Sequence, residues 1–197
     1  MIGKNLLRAL LLLAALSVAG CATSPEETRY FKDDKVQLEL LQKVAVLPFV
    51  NNTQTKLVEN RFSNIVTTEI LSRGLFEVAT TGDVLAFLRE EVRGDPTAVD
   101  AGVARKMGRA LKVDAYLTGA VEIYDMERNG SYSYPVIAVT MQLIDIKSGR
   151  IIWQAAGGDT GYGAWSRVFG LASDDFNQVS FRLARKLLDT MQTSAAE

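Results

Sequence analysis

Residues 44–53 read VAVLPFVNNT, a short apolar run that ends in a proline and a polar turn. Such a run is typical of a buried strand. The next segment spaces its apolar residues as a helix does, and Gly74 follows it where a helix cap belongs. A second apolar run, LFEVA, occupies residues 75–79. The order strand, helix, strand predicts a parallel βαβ crossover.

Downstream of this crossover, the sequence predicts two helices and then an antiparallel meander. The helices fall near residues 83–92 and 98–111, with Thr81 as the cap of the first. From there on apolar and polar residues alternate, and the turns NG at 129–130 and KSGR at 147–150 separate three strands. A last helix covers residues 174–191. We therefore expect an α/β (α+β) fold, a single domain in which helices pack on a mixed sheet of four to five strands.

The composition excludes several kinds of catalytic site. The chain has 197 residues, with 22 lysines and arginines, 23 aspartates and glutamates, one cysteine and no histidine. Without histidine, the chain cannot form a Ser-His-Asp triad, a Cys-His pair or a histidine-containing zinc site. The net charge is −1, and no basic stripe stands out in the sequence, so we expect no nucleic-acid partner.

The remaining polar motifs do not indicate an enzyme. Adjacent acidic residues, such as Glu90 and Glu91, point about 100° apart on a helix and do not converge on one site. The glycine-rich stretch GGDTGYG at residues 157–163 matches neither the P-loop nor the dinucleotide-binding spacing. We expect a non-enzymatic protein with no cofactor, no metal and no small-molecule substrate.

The N-terminus has the features of a secretory signal peptide. Residues 1–20 begin with two basic side chains, continue with an apolar run and end in small residues. The tetrad VAGC at residues 18–21 resembles a bacterial lipobox, and this resemblance implies that Cys21 is lipidated, with palmitate among the acyl chains. It also implies an outer-membrane anchor with the domain facing the periplasm, and it leaves open the inner membrane and the cell surface.

Behind this anchor we expect three further parts. Residues 21–42 contain the lipidated cysteine and a short polar tether, because they are charged and show little periodicity. The α/β domain occupies residues 43–193, and residues 194–197 form a tail. A short tether keeps the domain close to the membrane.

Four stretches of the mature chain resemble a known family. They are KVAVLPFVNNT at residues 43–53, GLFEV at 74–78, LKVDAYLTG at 111–119 and IDIKSGRIIW at 144–153. In this order, behind a lipobox, they resemble the periplasmic lipoproteins that include the curli secretion-channel subunit CsgG. Related α/β domains occur in the penicillin-binding-protein activator LpoB and at the N-terminus of TolB.

The resemblance implies a function through protein contact. As the main interpretation, we expect a component of envelope assembly or curli-type secretion that lacks pore-forming hairpins, because every long alternating strand is needed for the domain's own sheet. The alternative is a lipoprotein activator of a peptidoglycan synthase. The expected partners are the membrane, through the lipid anchor, and either another envelope protein or a second copy of the chain.

Two sets of residues are candidates for the contact surface. Tyr162, Trp165 and Phe169 lie in the glycine-rich segment 157–170 and belong to the residue types that anchor interfaces. They could equally fold back on the sheet. Asn51 and Asn52 follow the first strand at its carboxyl end, where open α/β sheets place ligand crevices, but turn and cap chemistry explains them as well.

Overall fold

The computed structural model of the chain describes residues 28–92, 94, 97–130, 132–163 and 173–192. The predicted signal peptide at residues 1–20, Cys21 and the predicted tail at residues 194–197 lie outside the described residues. None of the helices within the described ranges combines the length and the apolar character that a membrane crossing requires.

A mixed sheet of seven strands runs through the described residues. Its strands are β1 (Arg29–Lys32), β2 (Lys43–Val46), β3 (Val50–Asn51), β4 (Glu77–Val78), β5 (Ala115–Asn129), β6 (Tyr132–Asp145) and β7 (Ile151–Thr160). Across the sheet the order is β1-β7-β6-β5-β2-β4, and β3 pairs with β5 beyond the end of β2. Strand β2 is parallel to β4 and β5, whereas β5, β6, β7 and β1 are antiparallel neighbours. The predicted mixed α/β fold with a parallel crossover is confirmed.

Four helices cover parts of both faces of this sheet. They are α1 (Val58–Ser72), α2 (Thr81–Glu91), α3 (Ala101–Leu111) and α4 (Phe176–Gln192). Helices α1 and α4 share a buried cluster with Val44, Val46 and the inward side chains of β5 to β7. Helices α2 and α3 pack on Ala45 and Leu47, whose side chains point to the opposite face because successive residues of a strand alternate. The second pair therefore covers only the β4-β2 side of the sheet and the start of β5.

The five predicted strands are all present, and two additional short strands raise the number to seven. One arises because the run at residues 44–50 is divided between β2 and β3. Pro48 has no N–H to donate and interrupts the ladder with β5. On either side of it, the N–H of Leu47 donates to the carbonyl of Leu117 at 2.9 Å, and the N–H of Asn52 donates to that of Val121 at 3.0 Å.

The other additional strand, β1, lies in the segment that the sequence predicts as tether. It pairs with β7 in register, from Arg29 opposite Ala156 to Lys32 opposite Trp153. Buried Asp33 follows, and its carboxylate lies 2.5 Å from the Arg150 guanidinium. The sheet of the domain therefore includes residues 29–32, which precede the predicted boundary at residue 43. Sequence patterns miss β1 because an edge strand carries exposed charges and has no apolar alternation.

Side-chain caps define where two helices begin. The hydroxyl of Thr80 accepts the N–H of Asp83 at 3.2 Å, so the cap of α2 is Thr80 and not the predicted Thr81. The carboxylate of Asp100 accepts the N–H groups of Gly102 and Val103 at the start of α3. The bonds from Val103 and Gly102 lower the pKa of Asp100, because both favour its charged form. Helix α3 begins at residue 101, three residues after the predicted start.

The centre of the main cluster holds a satisfied polar pair. Trp153 is completely buried, and its indole N–H donates to the hydroxyl of Thr190 on α4 at 2.9 Å. That hydroxyl in turn donates to the carbonyl of Leu187 at 2.7 Å. This chain of hydrogen bonds ties α4 to the middle of β7.

We expect Thr190→Val to lower the free energy of unfolding by about 1–3 kcal/mol, because valine keeps the shape but leaves the buried indole N–H without an acceptor. Chemical denaturation of the full chain measures the change. The matched control is Thr68→Val on α1, where an exposed hydroxyl makes a similar bond to the carbonyl of Asn64. Equal losses for both variants would contradict this role of Thr190.

Glycine is required where β5 crosses beneath Phe49. A Cβ added to Gly119 would lie 2.4 Å from the carbonyl oxygen of Thr140 and 2.7 Å from the ring of Phe49. The first of these atoms belongs to the backbone of β6 and cannot move independently. The close approach keeps the ring of Phe49 against the sheet.

Accordingly, Gly119→Ala should destabilise the protein by about 1–3 kcal/mol through overpacking. Gly82→Ala on α2 serves as the control, because its added Cβ meets only Thr80 at 4.0 Å and alanine favours a helix. Thermal unfolding of the full chain followed by circular dichroism compares the two. A Gly119→Ala protein that unfolds at the same temperature as the unmodified chain would refute the close contact.

Candidate functional site: an uncovered sheet face

One face of β5, β6, β7 and β1 has no helix over its centre in the described part of the chain. Residues 137, 139, 141 and 143 of β6 point into the main cluster, so residues 136, 138, 140 and 142 point the other way. Their cross-strand neighbours include Ala120, Ala156 and Gly158, which are small and half-buried. The amide of Gln142 donates to that of Gln154 across the strands at 3.0 Å. We call this surface the open face.

Three tyrosines extend the open face at the tip of the β5–β6 hairpin. Tyr132 and Tyr134 lie two residues apart on β6 and therefore point to the same side as Ala138. The ring of Tyr162 stacks on Tyr134 with centroids 4.8 Å apart and an interplanar angle of 14°. Its centroid is 5.8 Å from that of Tyr132, whose side chain is 43% exposed. These three residues form the tyrosine cluster.

A large aliphatic side chain joins the tyrosine cluster to the centre of the open face. Ile123 pairs with Ala138 just after a register shift in β5, and it remains 45% exposed. Val136 on β6 and its cross-strand partner Thr160 on β7 continue the same outward-facing side of the sheet. The open face therefore presents an aromatic end, an aliphatic step and a flat centre of small and uncharged polar residues. Charged residues border it, since Asp125, Glu127 and Arg29 are the cross-strand partners of Val136, Tyr134 and Ala156. Contiguous exposed surfaces of this kind mark protein-interaction sites.

Hydrogen bonds hold the chain on the N-terminal side of Tyr162. The N–H of Gly161 donates to the carbonyl of Pro135 at 2.8 Å, and the N–H of Asp174 donates to the carbonyl of Gly161 at 3.1 Å. The guanidinium of Arg182 on α4 donates to the carboxylates of Asp159 at 2.6 Å and Asp174 at 2.5 Å. The bond to Asp159 raises the pKa of Arg182 against the opposing effect of burial. The backbone that leads into Tyr162 is thus held in place on its N-terminal side.

Of the predicted contact residues in the glycine-rich segment, the structure describes only Tyr162. Trp165 and Phe169 lie outside the described residues, as does Cys21. Tyr162 folds back on the sheet, as one of the two interpretations expected, and remains partly exposed beside Tyr134. Its role in a contact surface stays a prediction.

Asn51 organises the loop before α1. Its amide donates to the carbonyl of Thr55 at 2.8 Å and to the carboxylate of Glu59 at 3.0 Å. Its carbonyl oxygen accepts both the N–H and the hydroxyl of Thr53, at 2.9 and 2.8 Å. Asn52 donates to Glu122 on β5 at 2.8 Å. Neither asparagine caps α1, because its N-cap position is Leu57.

The structure does not join the two asparagines to the tyrosine cluster. Asn51 pairs with Val121 on the edge of β5 that faces away from β6. We did not identify Tyr132 and Ile123 from the sequence as members of one surface. The sequence pattern that could have identified this surface is the alternation of residues 132, 134 and 136. It continues the outward-facing row of β6 to the tip of the β5–β6 hairpin.

The described residues contain no group of three or more His, Cys, Asp or Glu side chains that could hold a metal ion. Glu91 of the acidic pair noted in the sequence contacts Lys106 at 2.5 Å, and the buried Asp33 contacts Arg150 at 2.5 Å. These carboxylates are therefore partners of surface cations.

The chain is similar to a known protein family. The family model of the peptidoglycan-synthase activator LpoB matches residues 11–157. A search of curated protein sequences gave no significant match. The sequence resemblance to the CsgG family is therefore wrong, because the family that matches is that of LpoB. The four stretches behind it form strands and turns of the α/β sheet, so they report the fold more than the family.

Two solved structures illustrate the likeness of fold, and a third, with a TM-score below 0.5, is less similar. The PelC dodecamer from Paraburkholderia phytofirmans is 24% identical, with a TM-score of 0.60 over 86% of this chain and 100% of that one. Lipoprotein GNA1162 from Neisseria meningitidis is 14% identical, with a TM-score of 0.56 over 77% and 99%. The LpoB C-terminal domain from Salmonella enterica is 18% identical, with a TM-score of 0.47 over 64% and 86%.

Proposed function

Since this chain belongs to the family of the peptidoglycan-synthase activator LpoB, we propose that it is a lipoprotein that activates a peptidoglycan synthase through protein contact. The observation that carries this proposal is the family match over residues 11–157, which spans most of the sheet. This function is the alternative that we expected from the sequence. The curli-type secretion function rested on the CsgG resemblance and is withdrawn with it.

The open face is the surface through which the proposed contact is made. The tyrosine cluster supplies rigid aromatic side chains, which contribute strongly to binding energy at interfaces. The flat centre of small residues allows another backbone or a helix to approach closely. A partner on this face would bury Ile123 and Tyr132, which the domain itself leaves in contact with solvent.

The proposal includes a lipid anchor at Cys21, in the outer membrane, with the domain in the periplasm. Because β1 belongs to the domain, only residues 22–27 separate Cys21 from the described part of the chain. Fully extended, this stretch spans roughly 25 Å. The partner must therefore reach the domain close to the membrane that holds the anchor.

A second candidate function is assembly into a ring of identical subunits. It is favoured by one observation, the fold likeness to PelC, whose structure is a dodecamer. Both ends of the sheet, β1 and β4, also present strand edges that have no neighbouring strand among the described residues. A ring would use these edges, whereas an activator would use the open face.

The two candidates differ in the mass of the protein in solution. We expect the full chain, purified in an uncharged detergent, to be monomeric by light scattering across a concentration series, because the proposed activator engages a different protein. A discrete oligomer that persists on dilution would instead favour the ring. The detergent contribution is subtracted with a second optical signal.

Activation itself can be measured with the peptidoglycan synthases of the same cell, purified individually. We expect the full chain to accelerate glycan polymerisation by one of them severalfold, measured with a fluorescent lipid-linked precursor. The double variant Tyr132→Ala/Tyr134→Ala should raise the concentration needed for half-maximal stimulation about tenfold or more, as loss of an aromatic anchor does at interfaces.

The matched control is Tyr30→Ala, because Tyr30 is a similarly exposed tyrosine on the edge strand β1, beside Ala155 of the buried row. It should leave the stimulation unchanged. Circular dichroism must show that both variants remain folded. Failure of every synthase to respond to the unmodified chain would overturn the proposed function, and equal effects of the two variants would overturn its assignment to the open face.

A further inference from the structure

A second surface feature lies at the opposite end of the sheet from the tyrosine cluster. It is a cavity of about 630 Å³ between the last turns of α3 and the β6–β7 turn. Its lining consists of Arg105, Gly108, Arg109, Lys112, Val113, Asp114, Ile146 and Lys147. We call it the basic cavity, because four of these eight residues are cations.

The cations come from two different elements of the chain. Arg105 and Arg109 lie four residues apart on one side of α3, and Lys112 is the C-cap residue that follows the helix in a left-handed conformation. Lys147 approaches from the β6–β7 turn. The negative end of the helix dipole accounts for cations at the last turn of α3, but it does not account for Lys147 or for Arg105, one turn earlier.

These four cations have no carboxylate in contact within the described residues. Arg105 interacts electrostatically with Asp100, without an ion-pair contact. By contrast, Arg150 pairs with Asp33 at 2.5 Å and Arg182 pairs with Asp159 at 2.6 Å. Gathering four unpaired cations around one cavity raises the local potential and favours an anionic ligand.

The one acid in the lining already has partners. A carboxylate oxygen of Asp114 accepts the N–H of Gln42 at 2.9 Å and the N–H of Lys43 at 3.2 Å. These bonds hold the start of β2 against the start of β5. Asp114 therefore performs a structural task, and its charge offsets only one of the four cations in the lining.

The floor of the basic cavity is apolar. Val113 and Ile146 are buried there, and Gly108 allows α3 to lie close to the β6–β7 turn. A Cβ at Gly108 would stand 2.6 Å from a methyl carbon of Ile146. The cavity therefore combines a cationic rim with an apolar base large enough for a side chain, whereas a lone phosphate would leave most of it empty.

We infer that the basic cavity binds an acidic segment of a protein partner, with an apolar side chain on the floor and flanking carboxylates on the four cations. Charge complementarity selects such a segment. Strand β1 begins on the hairpin-tip side of the sheet, since Arg29 pairs with Ala156 and Lys32 with Trp153, whereas the cavity lies at the other end. This position disfavours lipid headgroups at the anchoring membrane. The identity of the protein partner rests on the proposed function.

The test uses the full chain in an uncharged detergent at low salt. The probe is an acetylated, amidated peptide of one leucine flanked on each side by two glutamates, and calorimetry measures its binding. We expect Arg109→Gln/Lys147→Gln to weaken binding about tenfold or more. The control Lys35→Gln/Lys56→Gln removes the same charge from exposed sites elsewhere and should change the affinity less than twofold.

Three results would overturn the inference. They are equal losses in the two double variants, peptide binding that persists unchanged when glutamine replaces glutamate, and tighter binding of inorganic pyrophosphate or glycerol phosphate than of the peptide. The last would assign the cavity to free phosphate or to a lipid headgroup, respectively. Added salt should weaken the expected complex, because the contacts are ionic.

The synthase assay separates this inference from the proposed function. If the unmodified chain stimulates a synthase but does not bind the peptide, the acidic-segment inference fails and the proposed function stands. If the chain binds the peptide through Arg109 and Lys147 but stimulates no synthase, the cavity keeps its ligand class and the proposed function fails.

Discussion

The pairing of β5 along both of its edges is the constraint on which the rest of the structure depends. One edge makes a long antiparallel ladder with β6, and the other makes parallel pairs with β2 and β3. Because side chains alternate along a strand, this double pairing decides which row of every neighbouring strand enters the core. A slip of one residue would bury the open face and expose the residues that now contact α1 and α4.

The proposed contact surfaces follow from how the helices are distributed over that sheet. Helices α1 and α4 cover one face, while α2 and α3 cover only the β4-β2 side of the other. The remaining area stays open and ends in the tyrosine cluster at the hairpin tip. At the other end of β5, Gly108 of α3 packs against Ile146, and the basic cavity lies at this contact. Two chemically distinct surfaces therefore lie at opposite ends of one strand.

Local patterns predicted most of the fold. The apolar run at residues 44–50, the helical spacing after it and the NG turn at residues 129–130 are each governed by contacts between near neighbours. Strand β1 escaped prediction because its pairing with β7 joins residues more than 100 positions apart and its sequence has no apolar alternation. Tyr162 was identified by residue type alone, whereas its neighbours Tyr132 and Tyr134 required the hairpin to be folded.

The basic cavity could not be predicted from the sequence. No basic cluster stands out along the chain, since Arg105 and Lys147 are separated by 42 positions (147 − 105). By itself the sequence determined the fold class, the helices, the main strands and the absence of histidine chemistry, because these depend on composition and short-range periodicity. Only the tertiary structure decided which side chains share a surface, because strand register and helix placement bring together residues that are far apart in the chain.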